Sequence, residues 1–244
     1  MSAAFPLPLG EGGGEGCVSP RVSSPRRRAW RALLRLKLAL VDRRKYRSVV
    51  LEHVDGLPLV VLPDVFNPSL LRSGEFLVQQ LSRQQLLPRG SRVLDLGSGS
   101  GAGGVAAAKR GCEVIAVDVN PSAVRCTRIN ALLNNVYIDV RQGDLFAPVA
   151  GERFDVVVFN PPYYRGVPRD ALDHAWRSPD MPERFARELW AHLAPDGYAL
   201  VVLSSDGDSD GFLTSLERNG FAREVVARRD FMNEVMCVHR IRAC

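Results

Sequence analysis

Residues 92–104 read Arg-Val-Leu-Asp-Leu-Gly-Ser-Gly-Ser-Gly-Ala-Gly-Gly, a short apolar run followed by a series of glycines. The run is typical of a buried strand, and the stretch from Ala106 to Lys109 favours a helix after the glycines. A glycine turn lets the backbone approach a ligand closely and points free N–H groups at it. Asp95 lies at the predicted end of the strand, where its carboxylate can accept from an ammonium group or from water. The stretch therefore predicts a strand–turn–helix unit with the features of a ligand site.

The same glycines leave other interpretations open. Gly99, Gly101 and Gly104 satisfy the dinucleotide pattern G-x-G-x-x-G, which is weak evidence on its own. A glycine-rich turn that binds nothing is also compatible with the stretch. The choice depends on what the rest of the chain places beside this turn.

Length and composition indicate one globular domain with an extension. The chain has 244 residues, of which 46% are apolar, and this is enough for a substantial core. Its five cysteines form no C-x-x-C pair, which argues against a zinc site and favours a reducing, cytoplasmic compartment. We therefore expect no metal.

The basic charge is concentrated near the start of the chain. Residues 21–47 contain eleven Arg or Lys and one acid, whereas the whole chain has a net charge of +5. Residues 1–28 are rich in Gly, Pro and Ser and predict a disordered tail. Residues 29–47 predict a basic amphipathic helix with too many arginines to span a membrane. This helix could pack on the domain, contact a nucleic acid or the ribosome, or belong to a mitochondrial presequence.

Residues 48–244 predict an α/β domain. Asp55-Gly56 indicates a β-hairpin over 48–63, a leading helix is predicted over 69–86, and a Rossmann-like core over 92–241. Strands are predicted near 92–96, 113–118, 136–142, 154–159, 197–203, 221–229 and 233–241, and helices near 102–110, 121–133, 181–193 and 209–219. This alternation is typical of a doubly wound, mostly parallel sheet of seven strands. The last two strands are joined by only a few residues, so they must form a terminal antiparallel hairpin.

Two acidic residues follow the second and third predicted strands. Asp118 ends the second strand, where an acid can accept hydrogen bonds from both ribose hydroxyls of a bound nucleoside. The same residue could also cap the helix that begins near Pro121. Gly143-Asp144-Leu145 follows the third strand, and by itself could be an ordinary turn.

The fourth predicted strand, 154–159, runs directly into Asn160-Pro161-Pro162-Tyr163. In a doubly wound sheet the first and fourth strands are neighbours, so this corner should face the glycine turn across one crevice. The Asn160 side-chain oxygen and the Pro161 carbonyl can each accept one N–H of a planar NH₂ group. They would hold its nitrogen in place and stabilise positive charge that develops on it, while Tyr163 stacks on the flat group. This chemistry needs neither a metal nor a covalent nucleophile.

Residues from about 48 to 241 resemble the HemK-type, release-factor glutamine N5-methyltransferase family of class I methyltransferases. The matching pieces are the hairpin, Val65 to Pro68, Val93 to Gly101, Val117-Asp118, Gly143-Asp144, Phe159 to Tyr163 and residues 173–176. The resemblance implies S-adenosylmethionine as cofactor, with these binding residues: Asp95, Gly97, Ser98, Gly99, Gly101, Asp118, Val119, Asp144, Leu145 and Asn160. It implies that Asp144 reaches the adenine amino group, and that the corner residues Asn160, Pro161, Pro162 and Tyr163 are catalytic. The implied substrate is a protein glutamine, in a release factor or a ribosomal protein.

Two departures from the family leave other substrates open. One basic helix replaces the helical substrate domain of the bacterial enzymes, and the acidic-threonine pattern after Pro68 is missing. The same corner occurs in adenine-N6 and guanine-N2 methyltransferases of rRNA, tRNA or DNA, and residues 21–47 could contact a nucleic acid. An RNA-binding module without activity and a NAD-dependent reductase are further alternatives. We expect no membrane association.

Overall fold

The computed structural model describes residues 48–69, 72–83, 86–162, 164–166, 177–231 and 234–244. The predicted tail over 1–28, the predicted basic helix over 29–47, the catalytic candidate Tyr163 and residues 173–176 therefore lie outside the described residues. In chain order the described elements are β1 (Val50–Val54), β2 (Leu57–Val61), α1 (Arg72–Leu81), β3 (Arg92–Leu96), α2 (Ala102–Lys109), β4 (Glu113–Asp118), α3 (Pro121–Leu133), β5 (Asp139–Gln142), a 3-10 turn (Ala147–Val149), β6 (Phe154–Phe159), β7 (Tyr164–Arg165), β8 (Arg177–Ser178), α4 (Met181–His192), β9 (Leu193–Ser204), α5 (Ser209–Arg218), β10 (Phe221–Asp230) and β11 (Val235–Ala243).

The central sheet has seven strands in the order β10-β11-β9-β6-β3-β4-β5. The five strands from β9 to β5 are parallel, whereas β11 runs antiparallel to both β9 and β10. This confirms the predicted doubly wound sheet with a terminal antiparallel hairpin. Leu96 at the end of β3 lies opposite Phe159 at the end of β6. The glycine turn and the Asn160 corner therefore leave the sheet at the same edge, side by side.

Local hydrogen bonds explain where two elements differ from their predicted bounds. β5 begins at Asp139 because the residues before it end α3: the Val136 N–H donates to the Ala131 carbonyl, and Asn135 is left-handed with φ 54. α1 begins at Arg72 rather than at residue 69. The Asn67 side-chain oxygen accepts from both the backbone N–H and the hydroxyl of Ser69, which forms a turn before the helix.

The core lies on both faces of the sheet. One face packs against α1, α2 and α3, and the other against α4 and α5. The β1–β2 hairpin packs on α3 through a small cluster that includes Val61 and Cys126. Asn130 of α3 exchanges two hydrogen bonds of 2.7 Å with the Val60 backbone and donates to the Ser100 carbonyl. The hairpin is therefore fixed to the glycine turn, and the segment that follows it lies over the site.

No helix among the described residues is long and apolar enough to cross a membrane.

Candidate active site

A cavity of about 180 Å³ lies at the carboxyl ends of β3, β4, β5 and β6. Predicted site residues from all four strand ends line it: Asp95, Gly97, Ser98, Gly99, Asp118, Val119, Asp144, Leu145, Asn160, Pro161 and Pro162. Gly101 is the one predicted and described residue outside this lining. A Cβ there would lie 2.7 Å from the Thr127 side chain, and its φ is +78. Gly101 is thus required for close packing against α3.

The glycine turn brings backbone to the cavity wall. Gly97 and Gly99 have φ values of 64 and 55, the left-handed region that glycine adopts without a steric penalty. The Ser98 N–H donates to the Val117 carbonyl, which ties the turn to β4. Phe66, which follows the hairpin, would lie 3.6 Å from a Cβ at Gly99. The turn is therefore enclosed by a side chain that the sequence did not single out as part of the site.

Asp95 is a buried carboxylate under the first turn of α2. Its Oδ2 accepts the Gly104 N–H at 2.7 Å, and a Cβ at Gly103 would lie 2.9 Å from Oδ1. Burial raises the pKa of Asp95 to about 7, the Gly104 N–H opposes this rise, and the nearby Asp118 carboxylate adds to it. Because Asp95 also lines the cavity, a cation bound there would favour its charged form.

Asp118 is held by two backbone N–H groups. Its Oδ2 accepts from Gly99 and its Oδ1 from Asn120, both at 2.8 Å. Burial raises the pKa of Asp118, and these N–H groups oppose the rise. The alternative role as helix cap is wrong, because Asn120 caps α3 by accepting the Ser122 N–H at 2.9 Å. Asn120 is also the residue directly before Pro121, a signal that could have identified the cap.

The far end of the cavity is formed after β5. Asp144 Oδ2 lies 2.6 Å from Arg184 Nη2 of α4, and Arg184 itself lines the cavity. Leu145 has a φ of 45, which is uncommon for a leucine. Val119, which is half-exposed, also lines the cavity. No local sequence pattern links Arg184 to Asp144, so the sequence alone does not reveal Arg184 as part of the site.

The corner after β6, residues 160–162, forms the other end of the cavity. The Asn160 amide nitrogen donates to the Ser73 hydroxyl of α1 at 3.4 Å, and Pro161 is buried while Pro162 is partly exposed. The ring of Phe159 would lie 3.5 Å from a Cβ at Gly97, so the corner and the glycine turn are in close proximity. Ser73, which is 1% exposed, is a further residue that the sequence did not reveal.

The cavity suits a ligand that is a nucleoside at one end and cationic toward the other. The buried carboxylate of Asp95 and the partly buried carboxylate of Asp118 face it from adjacent strand ends, and burial raises the pKa of each. Hydroxyl and ammonium donors would compensate for that burial. Among the described residues no cluster of His, Cys, Asp or Glu has the arrangement of a metal site.

Comparison with known proteins agrees with this architecture. Residues 56–228 match the family model described as "Methyltransferase small domain". A Methanocaldococcus jannaschii protein named "Putative protein N5-glutamine methyltransferase" is 32% identical over 185 residues, which cover 72% of this chain and 90% of that protein. The release factor glutamine methyltransferase of Geobacter sulfurreducens is 31% identical over 181 residues, which cover 68% of this chain and 62% of that enzyme.

A solved structure shows the same fold at lower identity. It is the T. thermophilus 16S rRNA N2 G1207 methyltransferase in complex with AdoMet and guanosine, with a TM-score of 0.59 and 23% identity over 80% of this chain and 50% of that one. The chain therefore belongs to the Methyltransferase small domain family and is a class I, S-adenosylmethionine-dependent methyltransferase of the HemK-like kind.

Proposed function

We propose that this enzyme methylates a planar amide nitrogen, and that its substrate is a glutamine side chain of a protein such as a release factor or a ribosomal protein. The observation that carries the proposal is the shared cavity: Asn160 and Pro161 lie at one end of the pocket that the glycine turn lines. The names of the M. jannaschii and G. sulfurreducens relatives support the choice of glutamine. The chain spans only 62% of the latter, so the substrate is a proposal for this chain.

The described residues fit S-adenosylmethionine by the chemistry of their donors and acceptors. Asp118 would accept from the ribose hydroxyls, and Asp144 from the adenine amino group. Val119 and Leu145 would contact the purine through apolar atoms. Asp95 would face the cationic amino acid end, and the backbone of the turn from Gly97 to Gly99 would pass beside it. Ser98 and Gly101 complete the proposed cofactor residues, and Gly101 acts through packing. Asn160, which the resemblance also gives as a cofactor residue, would lie beside the cofactor and act mainly in methyl transfer.

Catalysis in this proposal depends on two acceptors at the corner. When bound, the cofactor supplies a sulfonium-activated methyl group. An amide nitrogen is a poor nucleophile, because its lone pair is delocalised into the carbonyl. The Asn160 oxygen and the Pro161 carbonyl would each accept one N–H of the substrate and fix its nitrogen in the reactive orientation. The same acceptors would stabilise positive charge on that nitrogen as its bond to the methyl group forms and the bond between that methyl group and the sulfonium breaks, and the nitrogen would then lose one proton to water.

The two prolines and Tyr163 would complete the catalytic corner. Pro161 and Pro162 restrict the backbone and carry no N–H, so the corner presents acceptors and no competing donors there. Tyr163 would stack on the flat substrate group. We retain Asn160, Pro161, Pro162 and Tyr163 as the proposed catalytic set, and the cytoplasmic location as a prediction.

A nucleic-acid base is the second candidate substrate. The exocyclic amines of adenine and guanine present the same planar NH₂ geometry as an amide, and residues 21–47 carry eleven basic side chains against one acid. The T. thermophilus neighbour, which methylates rRNA, holds guanosine in its structure. These observations keep methylation of adenine N6 or guanine N2 as the alternative.

Methyl transfer to separate protein and RNA fractions distinguishes the two candidate substrates. The full chain would be incubated with radiolabelled S-adenosylmethionine and with protein or RNA fractions from cells lacking this protein. We expect label in the protein fraction that is sensitive to protease and resistant to nuclease, with N5-methylglutamine identified by mass spectrometry. Label in N6-methyladenine or N2-methylguanine would instead select the alternative, and label in neither fraction would contradict both.

Removal of residues 1–47 gives an independent comparison. A nucleic-acid enzyme should lose salt-sensitive RNA affinity with this segment, because its eleven basic side chains neutralise phosphates. An enzyme that acts on protein glutamine should keep its activity toward the protein fraction. The measurement is RNA binding and methyl transfer by the full and shortened chains at two salt concentrations.

A further inference from the structure

The ion pair between Arg184 and Asp144 joins two separate parts of the cavity wall. Arg184 Nη2 of α4 lies 2.6 Å from Asp144 Oδ2 in the loop after β5, forty residues away in the sequence. Both residues line the cavity at the end that the proposed function assigns to the adenine. The pair thus lies at the ligand site rather than on a remote surface.

Buried aromatic residues fix the backbone on both sides of this pair. Phe146 and Phe185 are 1% and 0% exposed, and their rings stack with centroids 5.8 Å apart. Phe185 directly follows Arg184 in the sequence, and Phe146 lies two residues after Asp144. The loop and α4 therefore keep a fixed spacing, and Arg184 can reach Asp144 without a cost for ordering the backbone.

The pair contributes little to folding. The Asp144 side chain is 56% exposed and that of Arg184 is 30% exposed, and ion pairs in such surroundings stabilise a fold only weakly. A half-exposed carboxylate without a partner would sample several rotamers. What the pair does provide is one defined position for the Asp144 carboxylate at the edge of the cavity.

We propose that Arg184 is a positioning residue for the methyl donor: it orients Asp144 so that the carboxylate accepts the exocyclic amino group of the adenine. This inference rests on the proposed function and assigns a role to a residue outside the motif. A carboxylate oxygen has lone pairs for more than one donor, so contact with Arg184 leaves capacity for the amino group. A purine with a hydrogen atom in place of that amino group has nothing to donate, so its binding does not depend on this orientation.

Calorimetric titration of the full chain with two ligands tests the assignment. The ligands are S-adenosylhomocysteine and its 6-deamino analogue, which carries hydrogen in place of the exocyclic amino group. We expect Arg184→Met to weaken S-adenosylhomocysteine about five- to tenfold and the analogue by less than about twofold. Arg187→Met is the matched control, because Arg187 lies on the same helix, is 68% exposed and pairs with Glu188 at 3.8 Å. The Arg187→Met variant should bind both ligands with wild-type affinity. If Arg184→Met weakened the binding of both ligands equally, the proposal would be overturned.

A double-mutant cycle separates positioning from direct contact with the ligand. If Arg184 acts through Asp144, the variant with both Arg184→Met and Asp144→Asn should bind S-adenosylhomocysteine as Asp144→Asn alone does. Additive losses would show that Arg184 acts by another route and would overturn the inference. The Tm of Arg184→Met should stay close to that of the wild type, and a large fall would assign the residue a structural role instead. Failure of the wild type to bind S-adenosylhomocysteine would contradict the proposed donor site itself.

Discussion

The end of the cavity at β3, β4 and β5 is held mainly by backbone groups, with the Arg184–Asp144 ion pair as a side-chain contact there, whereas the end at Asn160 is held by the Ser73 side chain from a distant segment. We call the first the donor half, formed by residues 95–101, 118–120 and 143–145, and the second the acceptor half, formed by Asn160 to Pro162 and Ser73. In the donor half Asp95 and Asp118 together accept three backbone N–H groups at 2.7 to 2.8 Å. In the acceptor half Asn160 contacts Ser73 at 3.4 Å across 87 residues. Substitutions in the two halves should therefore affect different steps, binding in the first and methyl transfer in the second.

Asn160→Ala should produce the largest effect. It removes an acceptor aimed at charge that develops only in the transition state, and loss of one such group lowers kcat about 10²- to 10³-fold. Binding of S-adenosylhomocysteine should change by less than about threefold, because this interaction matters mainly in the transition state. Single-turnover methyl transfer and calorimetry measure the two quantities. An unchanged rate would contradict the mechanism, and loss of cofactor binding alone would place Asn160 in the donor half.

Asp118→Ala should show the opposite pattern. It removes the acceptor proposed for the ribose hydroxyls and releases the Gly99 and Asn120 N–H groups. Because hydrogen bonds to a charged group contribute more free energy than those between neutral groups, the affinity for S-adenosylhomocysteine should fall about ten- to a hundredfold. The rate at saturating cofactor should remain within about threefold of the wild type.

Asp155→Ala is the matched control for Asp118→Ala. The Asp155 carboxylate also accepts a backbone N–H, that of Arg92 at 2.7 Å, but at the opposite end of the sheet. We expect its removal to leave cofactor affinity unchanged. If both variants lost affinity equally, the effect of Asp118 would be a general effect of losing a capping carboxylate.

The two halves also differ in how far the sequence could reveal them. Apolar runs that alternate with helices predict the sheet, and the doubly wound order then places Leu96 beside Phe159 without any side-chain detail. The donor half follows from this, because its acids sit at strand ends within one continuous stretch. The roles of single side chains in the donor half do not follow from the sequence. Asn120 rather than Asp118 caps α3, and the sequence does not distinguish the two because either side chain could accept an N–H at the start of the helix.

Contacts between distant segments were outside the reach of sequence patterns. Ser73 meets Asn160 only because α1 packs across the sheet edge, and Arg184 meets Asp144 only because α4 packs beside the loop after β5. Neither pair has a periodicity or spacing that a single sequence displays. The positive φ of Leu145 likewise has no signal in the sequence, since leucine does not favour it.

The raised pKa of Asp95 predicts a pH dependence confined to the donor half. In the folded chain the pKa of Asp95 is about 7, whereas the ordinary pKa of an aspartate side chain is 3.8. The contribution of Asp95 to stability therefore decreases as pH rises from 3.8 to about 7 and is constant above that. A bound ammonium group favours the charged form, so affinity for S-adenosylhomocysteine should increase over the same range, by at most about tenfold per pH unit.

Asp95→Asn separates this effect from that of Asp118, whose pKa is raised in the same direction. The amide keeps an acceptor for the Gly104 N–H but does not titrate. Calorimetry between about pH 5 and about pH 8 should show a much flatter profile for this variant than for the wild type. If the wild type itself bound with constant affinity over this range, Asp95 would not face a cationic group. Asn160→Ala should retain the wild-type profile, since it belongs to the other half.

Ser73→Ala should have the smallest effect and is the sharpest test of where the acceptor half ends. A neutral hydrogen bond of 3.4 Å is weak, so we expect kcat to fall about threefold, with no change in S-adenosylhomocysteine affinity. Combined with Asn160→Ala it should add nothing, because the hydroxyl acts only by holding that amide. Ser82→Ala is the control, since Ser82 lies just beyond the other end of α1, where its hydroxyl contacts Asp55 at 2.6 Å. A further loss in the double variant would show that α1 contributes to methyl transfer by a route other than Asn160.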